Sequence, residues 1–356
     1  MKNRFALGTK LFYPSLLLTL LVGGPLSRAA ESLGERKIIQ IFIKHFRKMP
    51  RIALPFGDDV AAVDIGKDKL AVLKSDMLVD RTDAPRQMTP WQMGRKAVIV
   101  TVSDFASKGI RPMALMTSVG IPRKLPRRNI EQLASGLEFG AKEYGVHIVG
   151  GDTDESSDIV IDILGFGLGR KGGIMTRSGA RPGDILAVTG LFGDTSAGLR
   201  VLLERLKLPK ELRRELAKTV LLPKAQLKLG LALARSGVVT SSMDSSDGLA
   251  WSLHELSRMS HVGFTVEKLP TSPLAKRFAE ITKTEIRDLV LYGGEEFKLV
   301  VTVRHDGWSK ASRAARRVGE TLHKIGKVTK SRQVVLREVG ARESGIKPVG
   351  WEHFIS

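Results

Sequence analysis

Five places in this 356-residue chain set an aspartate beside serine or glycine at the edge of an apolar segment. They are Gly57-Asp58-Asp59, Ser75-Asp76, Ser103-Asp104, Gly150-Gly151-Asp152 and Asp244-Ser245-Ser246-Asp247-Gly248. Adjacent Asp58 and Asp59 raise each other's pKa, so one is expected to keep its proton near neutrality unless a cation or an arginine neutralises the pair. Brought together, Asp59, Asp76, Asp104, Asp152, Asp244 and Asp247 form a pocket of hard oxygen ligands. Magnesium binds through one or two carboxylates plus substrate phosphate oxygens. Such ions neutralise a triphosphate while the protein holds an acceptor in line, a reaction that needs positioning and no covalent nucleophile. By spacing alone, the same acids fit independent turn and cap residues equally well. No Walker A loop, dinucleotide-binding glycine turn or Gly-x-Ser-x-Gly elbow competes for the site.

The elements that must position these acids are readable in outline. Leu70 to Leu73 reads as a buried strand delivering Ser75 and Asp76 at its end. Thr89-Pro90-Trp91-Gln92 starts a helix with a capping box, and Gly109 and Pro112 end it. Asp104 then lies near that helix's C-terminus, where the dipole disfavours an acid unless a cation is present. Residues 129–144 form an amphipathic helix, and Val146 to Val149 a strand ending at Gly150-Gly151-Asp152. A further strand covers 159–166. Gly165, Gly167, Gly169, Gly172 and Gly173 read as a link, which places a domain boundary near residue 170. Beyond it, Gly190 to Ser196 turns into a helix, the Asp244–Gly248 cluster precedes another with a leucine stripe, and strands are expected in 263–268 and 289–302. Residues 33–49 read as an amphipathic helix, with His45 packed on its apolar face.

Composition narrows the chemistry. With 42% hydrophobic and 26% charged residues, the chain is an ordinary globular one of one or two domains. The absence of cysteine excludes disulfides, thiolate nucleophiles and Cys-ligated metals. The seven histidines do not cluster, so any metal is oxygen-ligated. Net charge is +20, yet aromatics are only 6% and neither basic run (123–128, 312–317) is interleaved with them, so a generally basic surface is expected rather than a specific nucleic-acid site. Residues 1–30 resemble a secretory signal, with an apolar stretch from Leu11 to Val22 too short for a comfortable membrane span.

Seven segments in order resemble the thiamine-monophosphate kinase family, of the superfamily that includes aminoimidazole ribonucleotide synthetase. They are Gly57-Asp58-Asp59-Val60-Ala61, Ser75-Asp76-Met77-Leu78-Val79, Val102 to Gly109, Gly150-Gly151-Asp152-Thr153, Thr176 to Asp184, Met243 to Leu249 and Gly293-Gly294-Glu295-Glu296-Phe297. The resemblance covers residues 33–356. It implies an α/β (α+β) chain of two domains, 33–170 and 171–356, the first dimerising through its sheet, with 1–32 an N-terminal extension. It implies cytoplasmic, ATP-dependent phosphorylation of thiamine monophosphate to thiamine diphosphate, by direct transfer with several magnesium ions, in a homodimer. Asp59, Ser75, Asp76, Asp104, Asp152, Asp244 and Asp247 fall on metal-binding positions, with Asp104 and Asp152 positioning the reactants. Gly151, Asp152, Arg177 and Ser246 fall on nucleotide positions, and Asp83, Glu295 and Trp351 on substrate positions. Asp58 reads as a turn residue or one that supports Asp59 from behind without touching the metal. Because this chemistry uses intracellular ATP, residues 1–30 are read as a non-native or flexible extension.

Three residues depart from the family pattern. Lys74 stands where many members have Ser or Thr, Asp83 where many have a substrate-contacting His, and Glu296 where Asp is frequent. Two alternatives are a related ATP-using enzyme of the superfamily acting on another small molecule and, from another class, a basic nucleic-acid-binding protein on this fold. The lack of cysteine argues against selenophosphate synthetases and hydrogenase-maturation relatives.

Overall fold

The fold is that of a computed structural model, which describes residues 30, 33–54, 56–338, 340 and 342–354. The signal-like segment lies outside the described residues. Two units are distinct. The small one contains helix α1 (Glu35–His45) and residues 352–354, joined by an Arg36–Glu352 ion pair at 2.7 Å. Contrary to the packed role expected for His45, α1 has no buried residue among those described, and His45 Nδ1 hydrogen-bonds the Ile41 carbonyl at 2.8 Å.

The larger unit, residues 47–351, holds two sheets. The first combines β1 (Ile52–Leu54), β2 (Ala61–Gly66), β3 (Lys69–Val79), β4 (Pro112–Ile121), β5 (His147–Glu155) and β6 (Val160–Arg170) in the order β1-β2-β3-β6-β4-β5. Only β4 and β5 run parallel. After β3 comes the short α2 (Asp80–Asp83), followed by α3 (Pro90–Lys108) and, beyond β4, α4 (Arg127–Glu143). The helix start is as expected: Thr89 and Gln92 form a reciprocal capping box, Pro90 occupies the first turn, and Gly109 closes α3 in the left-handed conformation.

Alternation along the strands gives this sheet two unlike faces. Leu70, Val72, Leu78, Ile161 and Ile163 are buried, whereas Leu73, Met77, Met116, Leu164 and Leu168 are exposed. The buried side meets α3, and glycine permits the close approach. A Cβ on Gly165 would lie 2.5 Å from the Phe105 ring, and one on Gly167 3.0 Å from it. These glycines therefore belong to β6 rather than to an interdomain link; only Gly172 and Gly173 lie past the strand's end.

The second sheet is built from β7 (Ile185–Val188), β8 (Val239–Asp244), β9 (Gly263–Val266), β10 (Leu299–Val303), β11 (His323–Thr329), β12 (Val334–Leu336) and β13 (Ser344–Gly345), ordered β13-β12-β9-β11-β7-β10-β8. Its helices are α5 (Asp194–Leu203), α6 (Lys210–Leu221), α7 (Leu227–Ser236), α8 (Leu249–Ser260), α9 (Pro273–Thr282), α10 (Ile286–Tyr292) and α11 (Trp308–Arg317). Leu289 to Tyr292, expected as strand, closes α10 instead. One core is shared between the sheets: Val98, Val102 and Ala106 of α3 join Ile161, Ile163, Leu229, Leu233 and Val301. Helix α3 thus packs on the first sheet with one side and on α7 and β8 with the other.

Candidate active site

Helix α3 is apolar for most of its length, yet Lys96, Ser103, Asp104, Ser107 and Lys108 are all buried on it. Each finds a partner from another element or its own last turn. Lys108 is fully buried and places its ammonium 2.6 Å from Asp58, 2.9 Å from Asp59 and 2.7 Å from the Ser242 carbonyl. Ser107 Oγ donates to Asp59 at 2.5 Å, and Arg177 Nε donates to the other Asp59 oxygen at 2.6 Å. The Arg177 backbone N–H donates to Asp58 at 2.9 Å. Ser103 Oγ donates to Asp244, at the end of β8, at 2.7 Å.

From β3, Lys74 reaches the same region. Its ammonium lies 3.0 Å from Asp76 and 2.9 Å from Asp104. Ser75, between them, points the other way and donates to Asp162 at 2.7 Å on the open face. The expectation that Ser75 and Asp76 close a strand is corrected: both lie in the middle of β3 and serve opposite faces.

Asp59, Asp104 and Asp244 are all buried, and each offers an oxygen within 4.8 Å of the others. Burial pushes the Asp59 carboxyl up, but Arg177 and Lys108 outweigh it and hold the group well below its ordinary 3.8. Two cations, Lys108 and Arg177, sit against the Asp58-Asp59 pair. Burial likewise opposes the charge on Arg177, and Asp59 more than compensates. Burial disfavours the Lys74 ammonium too, but Asp104 and Asp76 keep it well above its usual range. Asp244 makes no ion pair among the described residues, and Lys74 offsets its burial only weakly. Burial, then Asp104 and Asp59, push its carboxyl well up, against the Ser103 hydrogen bond. Three cations (Lys74, Lys108, Arg177) thus face five carboxyls (Asp58, Asp59, Asp76, Asp104, Asp244). Asp76 Oδ2 is buried without a hydrogen-bond partner among the described residues, as are the hydroxyls of Ser242 and Ser245. Hard, converging oxygen donors with surplus negative charge fit a divalent cation such as magnesium.

The other residues marked by the sequence fall into two further groups. Asp152 is exposed on β5, its carboxylate accepting from the Thr153 N–H at 2.9 Å. It pairs across the sheet with Ser118, which pairs with Asp162, so Asp152 shares the open face with Ser75 rather than joining the buried acids. The strand continues through Gly150 and Gly151 instead of ending there, and a Cβ on Gly151 would lie 1.8 Å from the Thr117 carbonyl. The second group surrounds the turn after β8. The Ser246 carbonyl accepts from the Glu295 N–H at 2.6 Å, and the Asp247 carbonyl from the Trp351 N–H at 2.9 Å. Glu295 adopts φ 60°, an uncommon conformation for a side-chain-bearing residue. Buried Lys96 pairs with the Glu295 carboxylate and donates to the Asp83 carbonyl at 2.6 Å, linking two residues marked for substrate. Glu296 accepts from the Gly193 N–H at 2.6 Å and pairs with Lys298 at 2.5 Å. Sequence reasoning missed Lys96 and Lys108. Their signal is a pair of lysines twelve residues apart in an otherwise apolar helix.

Residues 57–170 match the N-terminal domain of AIR synthase related proteins, and 181–338 match the C-terminal domain. Fold and acidic cluster together define the class, a two-sheet AIR synthase related protein. Within it, the chain is 33% identical over 322 residues to thiamine-monophosphate kinase of Nitrosopumilus maritimus, covering 90% of this chain and 99% of that relative. It is 36% identical to the Pyrococcus horikoshii enzyme of the same name, covering 90% and 96%. The solved structure of AaThiL complexed with AMPPCP and TMP superposes with a TM-score of 0.80 at 27% identity, covering 92% of this chain and all of that one. The chain belongs to the thiamine-monophosphate kinase family.

Proposed function

We infer that this chain transfers the terminal phosphoryl group of ATP to thiamine monophosphate, forming thiamine diphosphate. The observation that carries the reading is the meeting of Asp59, Asp104 and Asp244 with more carboxylate than cation around them. Asp59, Asp76, Asp104 and Asp244 would hold magnesium ions, which when bound neutralise the triphosphate and polarise the transferred phosphoryl group. The remaining work belongs to positioning. Lys108 and Ser107 fix Asp59, while Ser103 fixes Asp244. Arg177, already clamped on Asp59, carries a rigid guanidinium of the kind suited to phosphate oxygens. Glu295 and half-exposed Trp351 supply a carboxylate and an aromatic ring for the cationic thiamine ring, with Asp83 tied to Glu295 through Lys96. The strained backbone at Glu295 supports a functional role for that turn.

The same reading divides the chain at residue 170 and makes it a homodimer. The open face of the first sheet carries Leu73, Met77, Met116, Leu164 and Leu168, all exposed. Large exposed apolar patches mark interaction sites in soluble proteins. Ser75 and Asp152 lie on that face, so their contribution to metal or nucleotide would come where two copies meet. Leu164→Glu is expected to give a monomer in sedimentation velocity; an unchanged dimer would remove this face from the interface. No helix among the described residues is long and apolar enough to cross a membrane; separately, the use of ATP supports a cytoplasmic enzyme.

The direct test is phosphate transfer from ATP to thiamine monophosphate, with magnesium, by the full chain and by residues 31–356. Thiamine diphosphate formed by both is the expected result. ATP consumed without it would favour another acceptor.

A further inference from the structure

We propose that the Lys74 ammonium is a resident cation of the phosphoryl-transfer site, standing between Asp76 and Asp104 in place of one divalent ion and offering a hydrogen-bond donor to the nucleotide's phosphate. The proposal rests on the reading above and deepens it.

Two lysines enter this acidic region, and the structure distinguishes them. Lys108 is 0% exposed and its three ammonium donors meet three acceptors, Asp58, Asp59 and the Ser242 carbonyl. It is saturated and has nothing left for a ligand. Lys74 retains 22% side-chain exposure and meets two acceptors, Asp76 and Asp104. One of its three donors has no partner among the described residues. Its four-carbon stem delivers a compact charge from the central part of β3, on the face shared with Asp76 and turned toward α3. An ammonium about 3 Å from two carboxylates that face each other does the electrostatic work of a bridging ion there. Asp76 is used on one side only: Oδ1 meets Lys74, and Oδ2 is buried with no hydrogen-bond partner among the described residues. The cluster is therefore divided. Lys74 serves the Asp76–Asp104 gap, while Asp244, the Asp59–Asp104 side and Asp76 Oδ2 remain for metal.

The experiment counts manganese ions bound per chain, by electron paramagnetic resonance of the free ion, with β,γ-methylene ATP present. Lys74→Ser should bind one ion more than the native chain, and Lys74→Arg, which keeps the charge, should bind the native number. Loss of the phosphate contact should also weaken binding of the analogue to Lys74→Ser by about ten- to a hundredfold. Equal counts in the native chain and Lys74→Ser, or an extra ion in Lys74→Arg, overturn the proposal. If Lys74→Ser does not fold, the native chain decides through reductive methylation followed by peptide mass spectrometry. Lys74 should stay equally protected with and without manganese; methylation appearing only when manganese is added means that metal displaces the ammonium, and overturns it. Neither measurement needs turnover. A native chain that gives the expected counts but makes no thiamine diphosphate refutes the functional reading and not the resident cation.

Discussion

Asp104→Asn is expected to lower phosphate transfer by at least about a hundredfold while leaving the metal-free fold as stable as before, or more so. Removing one preorganised electrostatic contact from a phosphoryl- or acyl-transfer site typically costs about a hundred- to a thousandfold in rate. Asp104 sits just before the last turn of α3, toward the negative end of the helix dipole, with Asp59 and Asp244 as near neighbours and Asp76 across Lys74. Without metal, every one of these relations is repulsive except the one with Lys74. Asparagine keeps the shape and still accepts from Lys74 but removes the charge. Steady-state rates and thermal melts in a chelator check the two halves separately. Unchanged turnover would sink the role of the acidic cluster, and a large loss of stability would mean that Asp104 is a structural residue.

The second large effect runs the other way. Lys108→Met should destabilise the chain by about 3–5 kcal/mol, the usual consequence of removing one partner from a buried ion pair. Methionine fills the space but leaves Asp58 and Asp59 buried beside Arg177 alone, with the Ser242 carbonyl also deprived of its donor. Urea unfolding measures the loss. Its pH dependence has a definite sign. The Asp59 carboxyl is held below its ordinary 3.8, so its contribution is complete above about pH 4 and is lost as acid protonates it. Lys108→Met should shrink that contribution and flatten the acid limb. Adding Asp58→Asn should recover part of the stability, because the surplus buried charge then disappears. A Lys108→Met chain as stable as the native one would contradict the buried network.

Much of this was legible in the sequence because it is local. The Thr89–Gln92 capping box, Pro90 in the first turn and Gly109 at the end of α3 are fixed by side chains a few residues apart. The acids, too, were visible as residue types. What could not be read was which way each one points. Leu70 to Leu73 gave the strand, but its true extent to Val79 follows from pairing with β6, 81 to 101 residues further on, and that extent puts Ser75 and Asp76 on opposite faces. Asp152 looked like the end of a strand because two glycines precede it. Pairing with β4 carries the strand through them, since only a residue without Cβ at position 151 fits beside the Thr117 carbonyl. The glycines at 165 and 167 read as a linker by composition, yet their cause is the Phe105 ring. Lys96 and Lys108 were hidden for a related reason. A lysine in an apolar helix is unremarkable until the opposing element brings a carboxylate to it.

Helix α3 also acts as a ruler. Lys96, which holds Glu295, and Lys108, which holds Asp58 and Asp59, are twelve residues apart on one uninterrupted helix. At about 1.5 Å per residue that is about 18 Å, set by peptide geometry and not by any side chain. Deleting one residue between them would shorten the span only slightly but swing one lysine about 100° around the axis relative to the other, so both ion pairs could not form at once. An insertion or deletion within residues 97–107 is therefore expected to break one of the two pairs. That segment sets the distance between Glu295 and the Asp58–Asp59 pair.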